Sequence, residues 1–582
     1  MGRLTMYKII VFIVLWISGF LGQAQISHDQ ILKVKDVFPK EIPQLVTNTD
    51  LLICGERLHY ELINLTESGR TSPLSKISYV SLRNVKDSVI FNHKLKLENG
   101  LSHGTFFIPT TLKTGVYRLL GYTNFSLNNL DNPIAERNIY IINAYVKSTT
   151  NYNKDNTKLN NVLSYSSDAD LDVAQESPSY GLLLKTDKPT YRKRSQISLS
   201  IENTNGKFGY GNYVLSVRRV DPVKISKRIA ADESIEIEKR KDFYMPELHG
   251  EILSGRVVAS EKKGDVANKI VAFSIPGRNY VFKTAKTDNT GHFYISIDEP
   301  YNTRNCIIQI DEPSREQYEI ILDNNDLKLK TKDSSQEPPL DPSLKDWLQE
   351  RSIQIQIENA YFTLDKELAG SGFASPFYGG LATEFMLDQY TRFSSLEETF
   401  VEVVTLARIR NKAGKKVFQV FDPYSPINSG PFSSLDPLLL LDGILVQDAN
   451  DILTHSANEF SSIRVFPQTY RYGPKIYLGI IDFSTKEENF APSLEGTYIQ
   501  EFELISPLAD KKNAFPDHSD QSYDRLPDYR TQLYWEPQIE LFSNEMAHIF
   551  YASDVAGVYQ ITLEGFTLNG QHVAVHKRFI VE

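Results

Sequence analysis

Cysteine is nearly missing from this chain: 582 residues contain two, Cys54 and Cys306. They lie too far apart to staple one small domain, so a disulfide framework is excluded and two buried free thiols are expected. A surplus of positive charge is missing as well. Lysine and arginine number 63 against 73 aspartates and glutamates, a net charge of −10. That balance argues against nucleic acid as a partner, because a phosphate backbone needs a basic face. Beyond the N-terminus no apolar run is long enough to span a bilayer, so no membrane span is expected in the mature form. The compact catalytic signatures are absent too: there is no Gly-x-Ser-x-Gly elbow, no His-Glu-x-x-His and no Walker loop. The expectation is a protein that is not an enzyme, with no catalytic or metal-binding residues and no cofactor.

What is present favours strands, since 31 Tyr and 31 Phe suit a pleated, half-buried surface better than a helix. The length exceeds one core and predicts about three to five domains. Arg3 and Lys8 precede an apolar run over residues 9–21, and Gly22-Gln23-Ala24 follows with small residues. This reads as a secretory signal peptide cut after Ala24, the run being short for a membrane anchor. The protein is therefore expected to be exported. No Cys follows the run closely, so no lipid anchor is expected.

Residues 56–65 alternate, with Leu58, Tyr60 and Leu62 on one face and His59 and Glu61 on the other. Residues 89–97 do the same, and Asn99-Gly100 marks a hairpin turn. A short helix is expected over 346–357, and the Val-rich stretch 399–410 reads as a strand. Leu438-Leu-Leu-Leu reads as a buried strand closed by an Asp442-Gly443 turn, with further strands at 460–466 and 477–483. Near the end, Val558-Tyr-Gln-Ile-Thr-Leu and residues 573–581 flank Asn569-Gly570.

Three short patterns invite a chemical reading and fail it. Asp168-x-Asp170-x-Asp172 resembles the start of a calcium loop, but Val173 stands where glycine is required and no Glu closes it. Gly370-Ser371-Gly372 has no elbow around it. His572 and His576 are four apart on a strand, rather far for a shared metal, and read as exposed residues. A fourth pattern is Cys54-Gly55-Glu56, which reads like the opening of the Cys-Gly-Glu-Gln thioester of macroglobulins and complement proteins. Arg57 occupies the glutamine position and has no carbonyl to acylate the sulfur, so no internal thioester is expected.

Family resemblances give these fragments an order. Gly55-Glu56 opening a strand, Val80-Ser81-Leu82, Leu97-Glu98-Asn99-Gly100 with His103-Gly104, Thr114-Gly115-Val116-Tyr117-Arg118 and Tyr122-Thr123-Asn124 resemble the macroglobulin-type domain at the front of many Bacteroidetes envelope proteins. Thr186-Asp187-Lys188-Pro189-Thr190-Tyr191 resembles the start of another. Leu253-Ser-Gly-Arg-Val-Val and Thr287-Asp288-Asn289-Thr290-Gly291-His292-Phe293 resemble the carboxypeptidase regulatory-like domain, a small transthyretin-like sandwich that implies no peptidase activity. Pro437-Leu-Leu-Leu-Leu-Asp442-Gly443, Phe460-Ser-Ser-Ile-Arg-Val465, Tyr472-Gly473 and residues 479–486 resemble the plug domain of TonB-dependent receptors. Fewer than about a hundred residues follow, too few for a receptor barrel.

The fold class expected is mainly β and multidomain: macroglobulin or Ig-like β-sandwiches, a transthyretin-like domain and an α+β plug-like domain. The boundaries run from a signal peptide (1–24) through a macroglobulin-like sandwich (25–145), a linker (146–178) and the first half of a second sandwich (179–249). They continue with the regulatory-like domain (250–325), a linker (326–343), the plug-like domain (344–500), a linker (501–529) and strands completing the second sandwich (530–582). The implied function is a periplasmic binding or scaffold protein at the inner side of the outer membrane, whose partner is an outer-membrane barrel or another envelope protein. A thioester-less macroglobulin relative that interacts with proteases is the alternative. The turn at Gly443 and the loop at Tyr470, Arg471 and Tyr472 are the candidate contact surface, since aromatic and Arg side chains anchor interfaces.

Overall fold

The computed structural model describes residues 38–146, 163–166, 180–225, 237–238, 243–260, 264–324, 327–329, 340–361, 365–367, 376–421, 435–509, 511–513, 515–520 and 525–582. The expected signal peptide, the Asp168, Asp170 and Asp172 alternation and Gly370-Ser371-Gly372 lie outside the described residues. The chain is mainly β and divides into two compact units. One, the sandwich unit, spans residues 38–248, 326–369 and 507–582; the other spans 249–325 and 370–506.

The sandwich unit holds two sandwiches of one topology. In the first, the strands Glu41–Thr47, Arg57–Thr66 and Leu101–Phe107 form a three-stranded sheet. It faces a five-stranded sheet ordered Leu51–Ile53, Ala135–Ile142, Gly115–Tyr122, Ile77–Asn84, Val89–Lys96. In the second, Leu182–Thr186, Gln196–Asn203 and Glu545–Tyr551 face the order Thr190–Tyr191, His572–Val581, Gly557–Thr567, Gly211–Arg219, Gln532–Leu541. Counting strands within each sandwich, both read 1-3-6 over 2-8-7-4-5, and in both the second strand pairs with the eighth in parallel. The seventh strand opens Gly-Val-Tyr in each. Tyr117 donates its hydroxyl to the Lys113 carbonyl at 2.8 Å and Tyr559 to the Val555 carbonyl at 2.9 Å, each four residues upstream. This is the tyrosine corner of sandwich folds, which pins the turn entering a strand.

The second sandwich is interrupted between its fourth and fifth strands. Gly211–Arg219 pairs antiparallel with Gln532–Leu541, and everything from residue 220 to 531 is threaded between them. One core of Leu199, Tyr213, Leu215, Trp-flanking Leu533, Ile561 and Phe579 spans the break. A half-sandwich would expose an apolar face and open sheet edges, so neither segment is stable without the other.

Helix α1, Lys345–Tyr361, belongs to this unit rather than to the 344–500 block in which the sequence boundaries placed it. Asp341 caps the short 3-10 turn Pro342–Leu344 that leads into it, accepting the Ser343 N–H. Trp347, Arg351 and Ile355, four apart, lie on its buried face. Trp347 and Ile355 pack with Leu344 on Leu51, Ile53, Val116 and Ile142, the outward face of the first five-stranded sheet. Sequence boundaries missed this because α1 is adjacent in sequence to the other unit and only its apolar stripe specifies where it packs.

The other unit joins a small sandwich to a mixed block. The small sandwich sets His292–Ile297, Glu251–Ala259, Tyr318–Leu322 against Val281–Lys286, Ile270–Ile275, Arg304–Ile310, Ile499–Leu504. The last strand overruns the 501–529 segment read as a linker. Ile499 and Leu504 are buried while Gln500, Glu501 and Glu503 dilute the pattern, yet the strand pairs along the edge of Arg304–Ile310. The expected 146–178 linker likewise holds a short strand, Leu163–Tyr165, paired with Val223–Ile225.

The mixed block is a five-stranded sheet ordered Thr383–Met386, Phe460–Tyr472, Lys475–Thr485, Leu438–Leu441, Ile444–Leu445. One face carries α2 (Leu396–Glu402) and α3 (Ala449–Leu453). Leu438, Leu440, Tyr477 and Ile480 on the other face pack with Ala272 and Phe282 of the small sandwich. The stretch 399–410, expected as a strand, is split: α2 runs to Glu402 and a strand begins at Ala407. Ser395 caps the helix by accepting the Glu398 N–H. Leu396, Thr399 and Phe400 turn inward with helical period, so capping and packing outweigh the β preference of the valines.

Candidate functional site

The Cys54-Gly55-Glu56 turn sits at a buried cluster of charges in the sandwich unit. Gly55 takes φ +98°, and a Cβ there would lie 2.5 Å from Ile355 of α1, so the close approach requires glycine. The turn lets Glu56 fold back, its Oε2 accepting the Ile53 N–H at 2.8 Å. Its Oε1 accepts from Arg351 Nη2 at 2.6 Å and Arg218 Nη2 at 3.0 Å. Arg218 projects from the Gly211–Arg219 strand of the second sandwich and also reaches Asp221 at 3.3 Å. Arg351 projects from α1, bonds the Thr531 hydroxyl and lies 4.0 Å from Glu358. One carboxylate thus ties together the first sandwich, the second sandwich and the helix.

The electrostatics follow from burial. Desolvation pushes the Glu56 carboxyl up, but Arg218, then Arg351 and the Ile53 amide, outweigh it and hold it below the ordinary value. Glu358 is pushed up to about 7, chiefly by desolvation, because Arg351 is shared. Burial, with Arg57, Arg218 and His103 adding repulsion, drives His59 down to about 3, so it is neutral at any physiological pH. Its ring stacks on Trp535 at 5.7 Å. Arg351 Nε and Nη1 and Arg218 Nε have no protein partner among the described residues. Beside them Glu56, Arg57, Glu358, Asn359 and Gln532 line a cavity of about 30 Å³. That is room for one or two waters and not for an organic ligand.

The chemistry available here is binding and bracing, not group transfer. Burial, then the Glu56 charge, pushes the Cys54 thiol up to about 11, and its Sγ lies 3.8 Å from the Leu112 carbonyl. A thiol so buried is inert. Arg57 stacks over Phe107 at 5.8 Å and offers nothing to acylate. Methylamine treatment is therefore expected to leave the intact mass unchanged; a single adduct mapping to Cys54 and its neighbours would show a thioester after all. Among the described residues no three His, Cys, Asp or Glu side chains gather as metal ligands. His572 bonds Glu564 at 3.2 Å and His576 bonds the Thr562 hydroxyl at 3.1 Å. No helix among the described residues is long and apolar enough to cross a membrane.

The four candidate contact residues lie in the other unit, and three of them make internal contacts. Asp442 (φ +51°) and Gly443 (φ +84°) form the hairpin turn, and Asp442 accepts from the Thr485 N–H and hydroxyl and the Phe490 N–H. A Cβ on Gly443 would lie 2.2 Å from Tyr280. Tyr470 donates to the Phe377 carbonyl at 3.1 Å. Tyr472 donates to the Phe282 carbonyl, stacks on the Phe282 ring and packs at a tilt against Phe377. Arg471 keeps an exposed side chain. Below them Asp482, 1% exposed, accepts from Tyr280 and Tyr378, and desolvation pushes it up to about 6.

Sequence reasoning missed Arg218 and Arg351. The signal was there for one of them: Arg351 stands on an apolar helix stripe between Trp347 and Ile355, where a cation requires a buried partner.

No protein-family model matches the chain, and no curated protein matches it. Among solved structures it is similar to the Salmonella alpha-2-macroglobulin reacted with methylamine, at 10% identity and a TM-score of 0.23, over 93% of this chain and 39% of that one. It is similar also to Escherichia coli alpha-2-macroglobulin activated by porcine elastase, at 11% identity and a TM-score of 0.23, over 93% of this chain and 44% of that one. Dimeric latent PorU from Porphyromonas gingivalis matches at 10% identity and a TM-score of 0.16, over 50% of this chain and 34% of that one. The chain thus spans less than half the length of each of these proteins.

Proposed function

We propose that this chain is a non-enzymatic, exported binding or scaffold protein built on macroglobulin-like sandwiches. It works at the periplasmic side of the outer membrane, with a barrel or another envelope protein as partner. The observation that carries the reading is the graft: a whole compact unit is threaded between the fourth and fifth strands of a sandwich whose twin is uninterrupted. The buried Glu56 cluster braces that framework, so the sandwich unit is built as a rigid mount. The regulatory-like and plug-like resemblances of the inserted unit supply the module that the mount carries, and fold resemblance alone assigns it no chemistry. Contact through Arg471 is part of the proposal, since Tyr470 and Tyr472 already bind within the unit.

The second reading, a thioester-less relative that engages proteases, draws on the inert Cys54 and on Arg57. Photo-cross-linking from position 471 in intact cells distinguishes them. Outer-membrane barrels among the captured species are expected. Proteases in their place favour the second reading, and a protein found only in the cytosolic fraction overturns both.

A further inference from the structure

The mixed block carries a two-stranded hairpin, Ala407–Lys412 and Lys415–Val420, that joins no other sheet among the described residues. Its register sorts the side chains. Ala407, Ile409 and Asn411 share one face with Val420, Phe418 and Lys416, and Ala407, Phe418 and Val420 bury into the block. The opposite face holds Arg408 beside Gln419, Arg410 beside Val417 and Lys412 beside Lys415. Four of its six side chains are cations, in a chain whose net charge is −10.

Among the described residues little neutralises this face. Lys412 lies 3.7 Å from Asp436, both largely exposed, a pair worth little in water. Arg408 bonds Gln419 and stacks on Phe421 at 4.1 Å, keeping its charge. Arg410 and Lys415 are exposed and have no acidic partner among the described residues. The nearby acid Glu397 pairs with Lys416 on the other face. Lys412 and Lys415 stand directly opposite each other across the turn, an arrangement that destabilises a hairpin. An uncompensated cost of this kind suits a surface that meets negative charge elsewhere.

We propose that this face of the hairpin docks on a membrane surface rich in anionic phosphate headgroups. The four charges are spread along one face of the two strands, with a half-buried Val417 among them. Lysines at the tip act as point charges rather than bidentate forks, which fits a diffuse anionic surface better than one carboxylate ligand. The inference goes beyond the function proposed above and does not depend on it, since neither Arg471 nor a protein partner enters.

Sedimentation of the full chain with vesicles tests it. Binding to phosphatidylcholine vesicles containing phosphatidylglycerol is expected, and none to phosphatidylcholine alone. Each Lys or Arg at an anionic surface contributes about five-fold, so the triple change R410Q/K412Q/K415Q is expected to weaken binding about a hundred-fold. All three side chains are exposed and the triple change relieves the repulsion between Lys412 and Lys415, so the thermal transition should not fall, while K185Q in the sandwich unit should bind like the parent. Raising the salt from about 0.1 M to about 1 M shortens the screening length from about 10 Å to about 3 Å and should release the protein. Equal binding to both vesicle types, or parental binding by the triple variant, overturns the proposal. Tight binding of polyglutamate without vesicle binding also overturns it and reassigns the face to an acidic protein.

Discussion

Changing Glu56 to Gln is expected to destabilise the sandwich unit by about 3–5 kcal/mol, the usual cost of breaking a buried ion pair from one side. The substitution removes one charge and almost no volume, so the loss is electrostatic. Arg351 is 2% exposed and Arg218 8%, so neither guanidinium can turn to bulk solvent, and the one or two waters that the adjoining cavity can hold do not replace a carboxylate's charge. Asp221 and Glu358 remain nearby, but both are pushed upward in pKa by desolvation and neutralise the two cations incompletely.

The partner substitution Arg351→Met makes the argument a cycle. Alone it is expected to cost a similar amount, because Glu56 loses its 2.6 Å donor. Combined with Glu56→Gln it should cost clearly less than the two together, since the uncompensated charge is gone on both sides. The two described tryptophans, Trp347 and Trp535, both lie in the sandwich unit. Denaturant curves followed by tryptophan fluorescence therefore report on this unit. A Glu56→Gln protein with the parental midpoint, or strictly additive single changes, would mean that the cluster does not brace the sandwiches.

The sequence made the strands and turns legible where one face is buried and the other is wet. Asn99-Gly100 is a turn with both residues at positive φ. Asp288 accepts the amides of Thr290 and His292, closing the turn ahead of Phe293. Legibility failed where the outer face of an element is buried by something distant. The Arg57–Thr66 strand reads as alternating, with His59 and Glu61 on a polar face, yet both residues are buried. The cover comes from a strand more than 470 residues later in the chain, through Trp535 stacked on His59 and the Gln538 N–H donated to Glu61. The same holds for the candidate loop. Tyr470 and Tyr472 read as interface anchors because exposed and internal aromatic contacts use the same residue types. Nothing local announces that Phe282 and Phe377 will meet them.

Glu61 is the second place where a large effect is expected, and its sign is opposite to that of Glu56. Its side chain is fully buried, with Oε2 accepting the Gln538 N–H at 2.9 Å and Oε1 without a partner among the described residues. No cation among the described residues compensates, so desolvation pushes its pKa up to about 8 from an ordinary 4.5. A group whose folded pKa lies above its unfolded one favours the fold when protonated. Its contribution is complete below about pH 4.5 and disappears as the pH rises through about 8. Between about pH 6 and about pH 9 the parent should lose roughly 2–3 kcal/mol from this residue alone. Glu358 titrates in part of the same range, but it is common to parent and variant. Glu61→Gln imitates the neutral acid and cannot ionise. It should be somewhat less stable than the parent near pH 6, where its amide buries an extra donor, and more stable near pH 9. The two stability curves, read from tryptophan fluorescence, should therefore cross. Parallel curves over that range would mean that Glu61 ionises freely in the folded protein and that water reaches the joint between the sandwiches.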